Sequence, residues 1–252
     1  MFYHCAAEPI KQSHMARQDL RFTATDDKGS VAALVRRPPD ARALFVLAHG
    51  AGAGMRHHHM ESIADALANM NIATLRFNFP FMEAGGKRTD GKEICVETFS
   101  NATELARSIA RDLPIFIGGH SFGGRMSSHF YSERADAEKA NCKGLVYFSF
   151  PLHPSKKPDI KRAEHLYAIR SPMLFLSGTR DTLADSALLE DVVSRIPSAR
   201  LHWLETADHS FKILKRSRQS RIKPRRRTAG MTAENVYDEA ARVMATFVQE
   251  LI

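Results

Sequence analysis

The chain has 252 residues, of which 44% are hydrophobic and 25% are charged, and this composition excludes a chain that is disordered throughout. No apolar run reaches the roughly 18 residues of a transmembrane helix, so a membrane span is excluded as well. The formal net charge of +8 does not indicate a basic surface, because the excess lies in residues 212–227, which contain nine Lys or Arg residues and no acid.

The chain begins with a predicted N-terminal tail, residues 1–19, because the first strand pattern comes only after it. Met15 is therefore an alternative start of the chain. This stretch lacks the basic start and apolar block of a secretory signal. The cysteines are odd in number and widely spaced, which favours reduced thiols over disulfides: Cys5, Cys95 and Cys142. We therefore expect a cytoplasmic protein.

The predicted domain, residues 20–252, starts with two strand patterns, "RFTAT" and "VAALVRR", separated by the hairpin signal "DDKG". From residue 43 onward, apolar runs alternate with segments of helical length, and the last segment, "TAENVYDEAARVMATFVQELI", predicts a terminal helix with Thr232 as its N-cap. The apolar runs are "ALFVLAHG", "IATLRFNF", "PIFIGG", "GLVYFSF", "PMLFLSG" and "RLHWLE". This pattern predicts a mostly parallel sheet, covered by helices on both faces, with an antiparallel N-terminal edge.

Two long loops follow predicted strands, residues 79–93 and residues 150–172. Both come at the carboxyl ends of parallel strands, where ligands bind in open α/β sheets. Neither loop has the length of a lid domain, so we expect an open site.

A serine between glycines is the strongest chemical signal, in "PIFIGGHSFGGRMSS" at residues 114–128. A strand, then G-x-S-x-G, then a helix is typical of a nucleophile elbow, in which a sharp turn exposes the Ser121 hydroxyl. The alternative is an ordinary serine in a turn. Gly119 and Gly123 favour the elbow, because glycines allow the neighbouring backbone to approach closely.

A serine nucleophile needs a base and an acid that orients the base. Asp181 follows the strand pattern "PMLFLSG", and His209 follows "RLHWLE", which gives the order acid then histidine. Both residues fall in loops at the carboxyl ends of predicted strands. Asp185 and Asp208 remain alternatives for the orienting acid.

Acyl transfer also needs two N–H groups that stabilise the developing oxyanion. The amide of Phe122, directly after the candidate nucleophile, is one predicted donor. The small residues of "LAHGAGAGMRHHH" after the third strand make Ala51 the other. A phosphate-binding loop is the alternative for this stretch, but the Lys and the Ser/Thr of a P-loop are missing.

The remaining site candidates are histidines and one arginine. We expect no metal at residues 57–59, "HHH", because consecutive helical positions point about a hundred degrees apart and cannot converge on one ion. His153, in "FPLHP", and Arg125, one turn after the candidate nucleophile, are predicted to contact substrate.

The motifs "HGAGAG", "RFNFPFMEAGG", "GGHSFGGR", "FPLHP", "GTRD" and "DHSFK" together resemble the α/β-hydrolase superfamily. Within it, the chain is similar to the small lidless branch of dienelactone hydrolases and of the hydrolase-like domain of a nonspecific-lethal histone acetyltransferase complex subunit. The resemblance covers about residues 20–252. It implies a three-layer sandwich without a cap domain, a triad at Ser121, Asp181 and His209, and an oxyanion hole near Ala51 and Phe122. Dienelactone hydrolases differ by having a cysteine nucleophile.

We therefore expect a cofactor-independent serine hydrolase, most similar to carboxylesterases, that cleaves a small ester or similar acyl bond through an acyl-enzyme. Its expected partner is a small-molecule acyl substrate. The alternative is a non-catalytic binding module that uses the basic segment, residues 212–227, to contact an anionic partner. Nucleic acid is not the expected partner, because the basic excess is one local run.

Overall fold

The structure is a computed structural model that describes residues 16–134, 139, 142–214 and 233–252. Most of the predicted tail, most of the basic segment, Cys5 and Thr232 lie outside the described residues. Residues 16–19 of the predicted tail are described, and they belong to the first strand.

The described residues form eight strands: β1 (Ala16–Thr25), β2 (Gly29–Arg37), β3 (Ala43–Ala48), β4 (Ile72–Phe77), β5 (Ile115–His120), β6 (Cys142–Phe148), β7 (Met173–Gly178) and β8 (Ala199–Leu204). They pair in one sheet in the order β1-β2-β4-β3-β5-β6-β7-β8. β2 is antiparallel to both β1 and β4, and every other neighbouring pair is parallel. The prediction of a mostly parallel sheet with an antiparallel N-terminal edge is confirmed.

The turn between β1 and β2 contains residues that favour a tight hairpin. Gly29 has a φ of 69°, a left-handed conformation that glycine adopts without the strain of a side chain. The amide of Lys28 donates a hydrogen bond to Oγ1 of Thr25, 3.1 Å away, and closes the turn. The turn of the hairpin is therefore stabilised by contacts between neighbouring residues.

The described residues also form six α-helices and a 3-10 helix (Glu164–Ala168): α1 (His58–Asn69), α2 (Pro80–Glu83), α3 (Lys92–Ile109), α4 (Phe122–Glu133), α5 (Ser186–Ser194) and α6 (Ala233–Gln249). Helices α3, α4 and α5 pack on one face of the sheet, and α1 and α6 pack on the other. The result is the predicted three-layer sandwich. No cap domain is inserted in the part of the chain that the structure describes, and no helix there is long and apolar enough to cross a membrane.

The central strand β3 shows why the strand sequences are continuously apolar. Leu44 and Val46 pack into the core beneath α3, α4 and α5, whereas Phe45 and Leu47 pack into the core beneath α1 and α6. All residues of the strand are buried. Burial of each such large side chain stabilises the fold by about 1.5–3 kcal/mol. A strand covered on both faces therefore has no polar side, and the loops at its carboxyl end become the place for chemistry.

Candidate active site

The turn between β5 and α4 places Ser121 above the carboxyl edge of the sheet. Ser121 has a φ of 51°, an uncommon and strained value for a residue with a side chain. Its amide donates a hydrogen bond to the carbonyl of Phe148, 2.9 Å away. A Cβ atom at Gly119 or at Gly123 would lie 2.4 Å from the carbonyl oxygen of Ala48. The flanking glycines thus allow the turn to press against β3, and this close approach has the geometry of a nucleophile elbow.

His209 links Ser121 to Asp181. Nε2 of His209 lies 2.8 Å from Oγ of Ser121, and Nδ1 lies 2.7 Å from Oδ2 of Asp181. The ionised carboxylate only accepts hydrogen bonds, so Nδ1 carries the hydrogen and Nε2 accepts from the serine hydroxyl. The structure thus brings together the three residues that the sequence predicted for the triad, from loops that are far apart in the chain.

The carboxylate of Asp181 is fully buried, and its second oxygen accepts a hydrogen bond from the amide of Leu183, 2.8 Å away. The two alternative acids are engaged elsewhere. Asp208 accepts hydrogen bonds from the amides of Ser210 and Lys212 within its own turn. Asp185 caps helix α5. Of the three candidate acids, Asp181 is the one that contacts the His209 ring.

The loop after β3 is held by a histidine that the sequence-based interpretation did not select. Nε2 of His49 accepts a hydrogen bond from the amide of Phe79 at 3.0 Å, so Nδ1 carries the hydrogen and donates to the carbonyl of Gly50 at 2.7 Å. Burial lowers the pKa of His49 to about 4, which keeps the ring neutral. In a planar trans peptide the N–H points opposite to the C=O, so the amide of Ala51 points away from His49. The sequence signal that could have identified His49 was its position directly before Gly50 in the loop after β3.

The other end of the same loop is anchored at Met55. Its amide donates to the side-chain oxygen of Asn78 at 3.0 Å, and its carbonyl accepts from the guanidinium of Arg76 at 2.8 Å. Arg76 is fully buried, and burial lowers its pKa to about 10. Because both ends of the loop are hydrogen-bonded, the backbone between them has a defined conformation.

A cavity of about 430 Å³ opens beside Ser121. Its walls come from residues 50–53, residues 57–60 at the start of α1, the pair His120 and Ser121, and the turn of residues 209–212, in which Phe211 does not contribute. Ala51, predicted as an oxyanion donor, belongs to this wall. Phe122 is the first residue of α4, so its amide has no acceptor within the helix.

A family model described as an alpha/beta hydrolase domain matches residues 41–249. This chain belongs to the α/β-hydrolase family. The resemblance stated from the sequence motifs is confirmed at the level of the superfamily.

Solved structures of α/β hydrolases have the same fold. Dienelactone hydrolase from Anabaena variabilis ATCC 29413 aligns with a TM-score of 0.66 and 17% identity over 94% of this chain and 99% of that chain. The esterase domain of a Rhodothermus marinus protein aligns with a TM-score of 0.65 and 16% identity over 94% and 99%. A serine hydrolase without lid from Xanthomonas campestris aligns with a TM-score of 0.59 and 18% identity over 81% and 89%. At these identities the likeness is one of fold.

In this α/β hydrolase, His153 lies outside the wall of the cavity beside Ser121. Its side chain is buried and is not part of the cavity wall beside Ser121. Nε2 accepts a hydrogen bond from the amide of Asp185 at 2.8 Å, Nδ1 lies 2.9 Å from the carbonyl of Pro154, and its own amide donates to the carbonyl of Leu183 at 3.0 Å. This position gives no support to the predicted substrate contact, which stays a prediction. His153 instead holds the loop that follows Asp181.

Arg125 likewise lies outside the wall of the cavity beside Ser121. It lies on α4, is partly buried, and is not part of the cavity wall. Its guanidinium carbon lies 6.0 Å from the centroid of the Phe122 ring, a cation–π arrangement, and burial lowers its pKa. A position outside the cavity wall gives no support to the predicted substrate contact, which stays a prediction.

The run of histidines at residues 57–59 forms the beginning of α1. His57 is the N-cap, and its ring accepts a hydrogen bond from the amide of His59. The ring of His59 is buried against His120 and Tyr237, whereas His58 is exposed. The rings of His57 and His58 lie 4.3 Å apart between centroids, whereas the ring of His59 packs into the protein. Among the described residues there is no group of three or more His, Cys, Asp or Glu arranged to hold a metal ion.

Proposed function

We propose that this α/β hydrolase is a cofactor-independent serine hydrolase that cleaves a small ester or similar acyl bond through an acyl-enzyme intermediate. The observation that carries the proposal is the hydrogen-bonded chain from Ser121 through His209 to Asp181, with distances of 2.8 and 2.7 Å. These distances lie within the range over which a general base takes the proton of a serine hydroxyl.

In the proposed mechanism, Oγ of Ser121 attacks the acyl carbonyl while Nε2 of His209 takes the hydroxyl proton. Asp181 holds the tautomer of the ring and stabilises the imidazolium that forms. The tetrahedral intermediate collapses to an acyl-enzyme, and His209 gives the proton to the leaving group. Water, activated by the same imidazole, then attacks the acyl-enzyme, and the serine hydroxyl is restored.

The oxyanion of each tetrahedral intermediate needs preorganised donors. The amide of Phe122 suits this role, because it starts α4 and has no intrahelical acceptor. The amide of Ala51 suits it as well, because His49 turns the adjacent carbonyl of Gly50 into the protein. Both residues were predicted as donors from the sequence, and this geometry supports that role.

The size of the cavity favours short acyl groups. A volume of about 430 Å³ is at the small end for ligand pockets, and the described chain has no cap domain that would enclose a longer substrate. A carboxylesterase reaction on small or surface-presented esters fits this shape.

A covalent label tests the proposed nucleophile. A fluorophosphonate probe should label the wild-type protein at Ser121, and Ser121→Ala should lose both the label and turnover of short-chain esters. Ser194→Ala, which changes an exposed serine on α5, is the matched control and should keep both. Full ester turnover by Ser121→Ala would exclude the proposed nucleophile.

A further inference from the structure

The cavity beside Ser121 has an unequal distribution of charge. Lys212 has the one permanently charged side chain among the described residues that line the cavity. None of these residues is Asp or Glu. The wall is otherwise made of backbone from small residues, of imidazole rings and of Met60 and Ser210. A cavity of this kind contains hydrogen-bond donors and one cation, and it contains no carboxylate that would repel an anion.

Helix α1 adds to this positive character. The helix runs over His58–Asn69, and its first residues form part of the cavity wall. The amides in the first turn of a helix have no intrahelical acceptor, and together with the helix dipole they attract negative charge. The His57 ring accepts from the His59 amide, which leaves the amides of His58 and Met60 as donors.

An independent observation concerns the buried ring of His59. Only 4% of this residue is exposed, and its side chain belongs to the cavity wall. Nδ1 lies 2.7 Å from the hydroxyl of Tyr237, whereas Nε2 has no hydrogen-bond partner among the described residues. Burial, together with the nearby His120, lowers the pKa of His59 to about 2, so the ring is neutral.

A buried polar nitrogen without a partner is costly, and such groups in native proteins commonly mark the place of a water or a ligand. When the Tyr237 hydroxyl donates to Nδ1, Nε2 of His59 carries the hydrogen and is a donor. It then lies beside the first turn of α1, on the same wall of the cavity. The donor is buried and has no acceptor among the described residues, so an oxygen atom bound at this wall would satisfy it.

The backbone of Lys212 is fixed near this wall. Its amide donates to Oδ1 of Asp208 at 3.0 Å, and its carbonyl accepts from the Asp208 amide at 3.0 Å. The same turn carries His209, so the position of Lys212 is tied to that of the candidate base. Lys212 is exposed, and it is one of the residues that line the cavity.

We propose that this end of the cavity is a carboxylate subsite formed by Lys212, the first turn of α1 and His59, and that the substrate is a short ester bearing a carboxylate. The inference rests on the proposed hydrolase function and names its substrate class. A single negative charge matches the single ammonium group, and the neutral donors satisfy the remaining oxygen lone pairs.

Matched pairs of esters test the proposal. The first pair, para-acetoxybenzoate and para-acetoxybenzamide, differs by a charge in the alcohol part. The second pair, phenyl hydrogen terephthalate and phenyl para-carbamoylbenzoate, differs by a charge in the acyl part. After correction for alkaline hydrolysis rates, kcat/KM for the charged ester should exceed that for the neutral ester by about tenfold in at least one pair, as expected for a charge-assisted hydrogen bond. Ratios near one in both pairs overturn the proposal.

The variants locate the charge. Lys212→Met should lower the preferred ratio by about tenfold, and Lys212→Arg should keep most of it. The matched control is Lys143→Met, which removes an exposed lysine at the amino end of β6, the opposite edge of the sheet. The ratio is the readout, because a general loss of activity affects both esters alike. An unchanged ratio in Lys212→Met overturns the assignment.

A binding measurement separates this proposal from the proposed function. Ser121→Ala should bind para-acetamidobenzoate about tenfold more tightly than para-acetamidobenzamide in calorimetry, and adding Lys212→Met should abolish the difference. If no ester is turned over but this preference is found, the subsite stands and the hydrolase proposal falls. Equal binding within this pair and within the acyl-side pair, N-phenylterephthalamate and N-phenylterephthalamide, overturns the subsite, whatever the esterase activity.

Discussion

The ring of His120 donates a hydrogen bond from Nε2 to the backbone carbonyl of His209, 3.0 Å away. The carbonyl can only accept, so Nε2 carries the hydrogen. Burial is the main cause that lowers the pKa of His120 to about 4, so this neutral tautomer persists at physiological pH. The residue directly before Ser121 thus holds the turn that carries the imidazole facing Ser121.

We expect His120→Phe to lower kcat for a short ester by about tenfold with little change in KM, because the loss of this hydrogen bond lets the His209 turn move. His120→Gln retains an N–H donor and should recover most of the activity. Steady-state kinetics of both variants check the prediction. Equal losses in the two variants would mean that the donor has no positioning role.

His49 orients the peptide that supplies the proposed Ala51 donor. His49→Phe removes the hydrogen bond to the Gly50 carbonyl, and we expect kcat to fall by about 100-fold to 1000-fold, the range for loss of an oxyanion donor. KM should change little, because the donor acts on the transition state. A rise in KM with constant kcat would instead place His49 in ground-state binding.

His153 holds the loop after Asp181 through the amide of Asp185. His153→Phe leaves this amide without its acceptor, so we expect the free energy of unfolding to fall by about 1–3 kcal/mol and kcat to fall with it. Urea denaturation and ester kinetics measure the two effects. A raised KM with unchanged stability would restore the substrate contact that the sequence predicted.

Gly123 has no room for a side chain. A Cβ atom there would lie 2.4 Å from the carbonyl oxygen of Ala48 and 2.7 Å from that of His49. We therefore expect Gly123→Ala to lower the free energy of unfolding by about 1–3 kcal/mol, because the added methyl overpacks the elbow. Gly52→Ala is the control for stability, since a Cβ atom at Gly52 meets nothing within 4 Å.

We expect the free energy of unfolding to fall at acidic pH, because the fold buries several histidines in their neutral form. Burial lowers the pKa values of His49 and His120 to about 4 and that of His59 to about 2, from an ordinary 6.5. The unfolded chain binds these protons below pH 6.5, so stability is fully present above that pH and is lost as the pH falls toward 4. Each ring contributes up to about 1.4 kcal/mol per pH unit. Tm measured between pH 7 and pH 4 should fall, and less steeply in His59→Phe.

The sequence by itself determined the architecture and predicted the candidate triad. Continuously apolar strands predict a sheet that is covered on both faces. In β3, for example, every residue is buried, whichever face of the sheet it lies on. G-x-S-x-G between a strand and a helix reports the elbow, because the glycines are required where the turn meets Ala48. The periodicity of apolar residues and the need for small residues in a tight turn are local properties. They can therefore be recognised from neighbouring residues in the sequence.

Only the tertiary structure decided which side chains meet. Asp181 is 28 positions from His209 in the chain, and Asp208 is adjacent to it, yet the distant carboxylate contacts the ring because the loops after β7 and β8 leave the same edge of the sheet. His153 contacts the loop that follows Asp181, and the guanidinium of Arg125 lies near the Phe122 ring. Such contacts depend on strand register and loop conformation, which sequence spacing does not contain, and so the hydrogen-bond partners of the site became visible only in the folded chain.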